Sequence, residues 1–324
     1  MVWLTAALLL AAPPVDAWSL PAARPCSPTE LEALTADRPD VYRLACSAAL
    51  RPGQAILRPV LIEGAEASGL TLDCGGGAVG RVDAPVTTRS PTIAVWSRRV
   101  SSTVWSRPTD VRIRNCAIHG SVRIWGMGAD GVYDDLRASS RTAEHVAVAQ
   151  AAAPRHVTLE DVDILGTGSI PLYVGPGATH VSLSRSRLGG RSEAVAIYLD
   201  AESADNRIEG NTIAVATARE ALAVDGSARN RIIGNRFGLS GSGGVFLYRN
   251  CGERGVIRHQ TPSHNQITDN VFSGAARLRP RLVVVGAREG GRRYCGDDRG
   301  YPWGSSVDDR DHAAGNVVAR NVRR

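Results

Sequence analysis

The sequence predicts an all-β solenoid, a parallel β-helix, and three observations predict it. First, one short phrase is written four times. Asn206-Arg-Ile-Glu-Gly-Asn211-Thr-Ile213 is followed by Asn230-Arg-Ile-Ile-Gly-Asn235-Arg-Phe237, Asn265-Gln-Ile-Thr-Asp-Asn270-Val-Phe272 and Asn316-Val-Val-Ala-Arg-Asn321-Val-Arg323. Second, the last position of the phrase continues backwards as a series of anchors: Ile118, Ile164, Leu188, Ile213, Phe237, Phe272 and, weakly, Arg323. From Ile164 to Phe237 the anchors are 24, 25 and 24 residues apart, then 35 and 51. A repeat of that length means stacked supersecondary units. Third, apolar residues inside each period alternate, as in Val195-Ala-Ile197-Tyr-Leu199 and Leu222-Ala-Val224. Alternation with β-branched residues is strand patterning.

A coil of about 24 residues holding several short strands pairs in register with the coils above and below, roughly 4.8 Å away. The repeated Asn has a physical reason. Its side-chain amide can bond to the same amide one coil away, and Asn tolerates the left-handed backbone that a sharp corner needs.

The phrase Asn-x-Ile-x-x-Asn-x-Ile/Phe resembles the repeat of right-handed parallel β-helix proteins, the pectate lyase-like and NosD-like superfamily. The resemblance covers roughly residues 55–324 and implies a right-handed parallel β-helix. It carries over no catalytic residue. The Trp-x-Asp-His signature of pectate lyases is absent, as are the Gly-His-Gly and Arg-x-Lys motifs of polygalacturonases.

Taken in order, residues 1–17 read as a secretory signal: an apolar run from Trp3 to Ala12 and a small-residue cleavage site at Val15-Asp16-Ala17. A periplasmic or secreted protein with no membrane span after signal removal is expected. Residues 18–54 read as a cap segment. Ser27, Pro28 and Glu30 form a capping box, and Leu31 and Leu34 share one face of a short helix that plugs the open end of the solenoid. Residues 55–324 are the β-helix domain. Within it, residues 75–109 suit one or two coils and a loop carrying Trp96 and Trp105, for core packing or for stacking on sugar rings. Residues 120–155 hold strand-like runs, Val122-Arg-Ile124 and His145-Val-Ala-Val148, in poor register. Two insertions follow, near 250–263 and 288–314, and long loops on a rigid scaffold carry function.

Six cysteines suit an oxidising compartment. Cys26 and Cys46 bracket the cap, Cys251 and Cys295 lie in the two insertions, and Cys74 and Cys116 sit in matching contexts on neighbouring coils, either bonded or stacked as thiols.

The chain contains no lysine; all 38 basic residues are arginine, and the formal net charge is +6. That excludes lysine Schiff-base chemistry and the P-loop lysine. No GxSxG, zinc-ligand spacing or dinucleotide fingerprint is present. Arginine matches carboxylates in two-pronged pairs, so the expected partner is a polysaccharide, particularly an acidic one. No nucleic-acid partner is expected.

Counting twelve residues beyond successive anchors gives Asp200, Asp225 and Arg249. Each ends an apolar strand, so all three are expected to line one exterior face. Glu202 lies two residues on, and the first insertion brings Glu253, Arg254, Arg258 and His259 beside them, next to Tyr248. Close carboxylates repel unless a proton, an arginine or a metal compensates. Three chemistries follow: hydrolysis by an acid and a base or nucleophile; β-elimination from a uronate neutralised by Ca²⁺ on Asp200, Glu202 and Asp225; and epimerisation by the same proton removal. The expected catalytic set is Asp200, Asp225, Arg249 and His259, with Glu202, Arg254, Arg258 and Tyr248 binding substrate. The competing class is a non-catalytic carbohydrate-binding or structural β-helix. His156 and His180, one period apart, read as a turn ladder, and His264 as structural.

Overall fold

The computed structural model describes residues 23–82, 87, 90–129, 131–274, 280–289 and 299–324. The expected signal at 1–17 lies outside them. Three parallel sheets run the length of the molecule, and successive turns of chain visit each in order. The fold is a parallel β-helix. The first sheet runs from Tyr42–Arg43 through Val122–Trp125, Leu172–Val174, Ile197–Leu199, Glu220–Asp225 and Gly243–Tyr248 to Arg281–Val285. The second carries the anchors and the third the middle of each Asn phrase.

The anchors stack as counted. Ile118 pairs with Ile164, then Leu188, Ile213, Phe237, Phe272 and Arg323 follow one above another. The same inward column recurs in the first sheet as Ile62, Val95, Ile124, Val174, Leu199, Val224 and Leu247. These side chains are shut away from water and fill the coil interior. Phe237 and Phe272 stack at 4.9 Å between ring centres, about the spacing of paired strands.

The Asn ladder is present and complete. The Asn230 Oδ1 accepts from the backbone N–H of Asn206 at 3.1 Å and from its Nδ2 at 3.0 Å, and Asn265 and Asn316 repeat the motif. A second column joins Asn211, Asn235, Asn270 and Asn321. One detail of the expectation is corrected. The left-handed residue at each corner is the one before the Asn: Asp205, Arg229 and His264 in one column, Gly210, Gly234, Asp269 and Arg320 in the other. The Asn keeps an ordinary backbone because its amide must face inward along the axis. His156 and His180 occupy the first of these left-handed columns, at φ 54° and 57°, with rings 4.8 Å apart.

Helix α1 (Pro28–Thr35) has the expected capping box, with Glu30 N–H donating to Ser27 Oγ and Ser27 N–H to Glu30, and it buries Leu34 against the first coil. Pairing begins inside the cap segment, at Tyr42–Arg43 and Ala48–Ala49. Cys26 is bonded to Cys46, and Cys74 to Cys116 on the next coil. Cys251 is disulfide-bonded; its expected partner, Cys295, lies outside the described residues.

The strand reading of His145-Val-Ala-Val148 is overturned. After Val122–Trp125 the chain leaves the coil to form α2 (Asp134–Ser140) and α3 (His145–Ala152), then rejoins the third sheet at Arg155. The helix is dictated locally: alanine is the strongest helix former, and Pro154 stops the run. His145, Ala149 and Ala152, spaced four and three apart, are its buried face. This third excursion covers the outer face of the first sheet.

Candidate functional site

The outer face of the first sheet carries two columns beneath α2, α3 and the 250–263 insertion. In one, Arg123, Tyr173 and Tyr198 are paired neighbours. Arg123 lies 4.8 Å from the centre of the Tyr173 ring, and the two tyrosines stack at 5.7 Å. In the other, Trp125, Gly175, Asp200 and Asp225 follow their paired inward neighbours Ile124, Val174, Leu199 and Val224.

The two expected carboxylates therefore meet, but not as an open ladder. Asp200 is 5% exposed and Asp225 is fully buried. One nitrogen of Arg258 donates to both, at 2.6 Å to Asp200 Oδ1 and 3.1 Å to Asp225 Oδ2. Tyr173 donates its hydroxyl to Asp200, and Tyr198 to Asp225. Asp225 also accepts from the backbone N–H and side-chain amide of Asn250, both at 2.6 Å. It thus pins the start of the insertion. Burial pushes the Asp225 carboxyl up, against the downward pull of Arg258. Burial, then the adjacent Asp200, pushes the Tyr173 phenol well above its ordinary range, so it stays protonated and donates.

Glu202 is 1% exposed and accepts backbone N–H groups from the same insertion, His259 at 2.7 Å and Gln260 at 3.0 Å. Burial still raises its pKa to about 7. His145 Nε2 lies 3.8 Å from Glu202 Oε1 while its Nδ1 meets Ser139 Oγ at 2.9 Å. Burial holds the His145 pKa down to about 3, helped by His259 and Arg258. His259 is lowered too, chiefly by burial, and its Nε2 meets the Ser140 carbonyl at 2.7 Å. Its ring packs 5.0 Å from His145 and 5.9 Å from Trp303. His259 joins the cluster as a brace between α2 and the insertion, not as a group facing open space.

These residues enclose a cavity of about 150 Å³. Trp125, Tyr173, Asp200 and Glu202 form its floor, Leu136 and His145 one side, and Val256 and Arg258 the other. Tyr133, Glu253 and Arg254 stand at its mouth. Arg254 lies 4.6 Å over the Tyr133 ring. The Trp125 indole N–H is buried with no hydrogen-bond partner among the described residues. The indole N–H groups of Trp96, Trp105 and Trp303 are in the same state, and a buried donor left unpaired is costly.

Two expected members stand elsewhere. Arg249 is one step out of register. Ile213 pairs with Phe237 and Glu220 with Gly243, seven steps on in one coil but six in the next. That shortened corner puts Tyr248 opposite Asp225 and turns Arg249 toward Asp308, 3.1 Å away, with its backbone N–H on Asp311. Tyr248 is buried in its own cluster, its hydroxyl between Arg219 and Glu220, both at 2.9 Å. The Ca²⁺ arrangement expected of Asp200, Glu202 and Asp225 does not fit. Arg258 already stands between the two aspartates, Glu202 is engaged by two N–H groups, and no group of three metal-binding side chains is found among the described residues.

Trp125, Tyr133, Tyr173 and His145 were absent from the sequence-based site. Tyr173 was findable, because it sits one period before Tyr198. The others depend on the helical excursion.

Gly175 lets the Trp125 ring pack closely against the sheet. A Cβ there would come within 3.0 Å of both the Ile124 carbonyl and the Trp125 ring. Gly175→Ala is expected to displace the indole and weaken ligand binding at least tenfold while leaving the far-UV circular dichroism of the β-helix unchanged.

Glu202 gives a pH signature. Its folded pKa, about 7, lies above its ordinary value of 4.5, so the folded state holds the extra proton. Its contribution is least costly below pH 4.5 and worsens as pH rises to about 7, by roughly 3 kcal/mol. His145 acts oppositely. Its lowered pKa removes stability as pH falls from 6.5 towards 3. The two partly cancel in the native chain. In denaturant titrations, the stability of Glu202→Gln relative to the native chain should rise by about that amount between pH 4.5 and 7.

No family model matches the chain, and no curated protein matches it. Among solved structures it is similar to the Streptococcus pneumoniae surface protein and adhesin PfbA, at 9% identity over 87% of this chain and 76% of that one, TM-score 0.35. It is also similar to the Azotobacter vinelandii mannuronan C-5 epimerase AlgE4 A-module, at 9% identity over 91% of both chains, TM-score 0.32. A complex of XylC with xylose aligns at 14% identity over 73% of this chain and 38% of that one, TM-score 0.30. Likenesses this distant say nothing of activity, and the fold stands on its own strand pairing.

Proposed function

We propose that the chain is an exported carbohydrate-active protein that binds a sugar in the cavity over Trp125 and Asp200 and cleaves a glycosidic bond there. One observation carries this reading: a small cavity with two aromatic rings and two carboxyl groups in its floor. Aromatic faces stack on apolar ring faces while a few convergent polar groups fix hydroxyls. The two carboxyls differ in environment. Asp200 is held beside Arg258, whereas burial keeps Glu202 protonated near neutrality. A carboxyl able to carry a proton near neutrality can act as the acid. Glu202 gives its proton to the leaving glycosidic oxygen while Asp200 stabilises or captures the positive charge developing at the anomeric carbon, and water then adds to that carbon and returns a proton to Glu202. Arg254, at the mouth, favours an acidic glycan. The two described disulfides suit export.

One observation favours the alternative of binding without cleavage: both Glu202 oxygens accept loop N–H groups. Product release from polygalacturonate, alginate and xylan, measured with the native chain and Asp200→Asn, separates the two. Cleavage predicts sugar release that falls by about 10²–10⁴-fold in the variant. Binding that quenches tryptophan fluorescence with no release from any glycan would remove the catalytic assignment.

A further inference from the structure

Resting on that reading, we infer that the site takes the end of a glycan chain, one ring deep, and releases sugars from the terminus rather than cutting within. A site that cuts within a polymer needs a groove open at both ends. Here residues of the helical excursion (Leu136, His145) and of the insertion (Val256, Arg258) wall the floor. The helical excursion and the 250–263 insertion are joined beside it by three contacts. Arg137 Nε donates to the Arg254 carbonyl at 2.8 Å, Ile257 N–H donates to Ser140 Oγ at 3.0 Å, and His259 Nε2 meets the Ser140 carbonyl at 2.7 Å. A polymer lying along the sheet would have to pass through these joined segments. The volume agrees: a cavity of about 150 Å³, a size that holds one benzene, has room for no more than a single sugar ring. Exposure grades in the same direction. Asp200, Glu202 and Trp125 are buried at the bottom, while Glu253 and Arg254 are exposed at the mouth. The terminal ring sits on Trp125 and Tyr173, its bond to the next sugar passes Asp200 and Glu202, and the remainder of the chain leaves past Arg254.

The test uses reducing-end-labelled hexamers of galacturonate, mannuronate and xylose, with early products separated by size. The expected first products are a monosaccharide and a pentamer, and polymer viscosity should hardly fall per reducing end released. Dimers, trimers and tetramers at the earliest times, with a steep viscosity drop, would overturn the chain-end inference while leaving glycan cleavage standing. No release from any hexamer, with tryptophan fluorescence unmoved, would overturn the functional reading and this inference together.

Discussion

Arg258→Met is expected to destabilise the protein by about 3–5 kcal/mol, because it leaves Asp200 and Asp225 buried and facing each other without their shared cation. The loss should be smaller in acid, where the carboxyls can take up protons and the repulsion ends. A double variant separates charge from packing. Arg258→Met combined with Asp225→Asn should recover part of the loss at neutral pH, since one carboxylate of the pair is gone. If the double variant is as unstable as the sum of its parts at every pH, the guanidinium acts by filling space. Function should suffer with stability, since Arg258 lines the cavity and also orders the insertion that roofs it.

Asn235→Ala should be nearly as damaging, although it lies far from any chemistry. Asn235 Oδ1 accepts both the backbone and side-chain N–H of Asn211, and its own amide donates to the Ile208 carbonyl at 2.7 Å and to Asn270 at 3.0 Å. It is fully buried, so no water replaces these partners. At about 1–3 kcal/mol for each stranded group, a loss of roughly 3 kcal/mol or more is expected, read as a melting temperature lower by several degrees. An exposed corner change one residue earlier, Gly234→Asn, introduces a residue that tolerates φ 66° and should cost far less. Equal losses at the two positions would mean that the ladder contributes nothing beyond chain geometry.

The coil architecture was legible because it rests on spacing. Once Ile164, Leu188, Ile213 and Phe237 are aligned, parallel pairing leaves little freedom, and the Asn columns follow. The meeting of Asp200 with Asp225 was legible for the same reason. Arg249 failed where that logic is weakest: coil corners differ by a residue, and a one-residue slip changes which side chain stands at a given place. The roof was not read because α2 and α3 interrupt a strand period. Their own signal was helical: three buried positions at His145, Ala149 and Ala152, followed by Pro154. Side chains expected on an open face, Asp200 and Asp225, do point outward from the sheet. They are buried by what folds over them, and exposure of that kind is decided by contacts distant in sequence. Arg258 could be placed near the carboxylates but not between them, since loop geometry has no period to count.

The most direct measurement is the indole N–H resonance of Trp125, identified in a nitrogen-labelled sample as the peak that vanishes in Trp125→Phe. Titrated with the same galacturonate, mannuronate and xylose hexamers, that resonance should shift downfield as the unpaired donor gains an acceptor, with the same midpoint as binding. A hexamer that is bound or cleaved while the Trp125 peak stays in place would contradict the site.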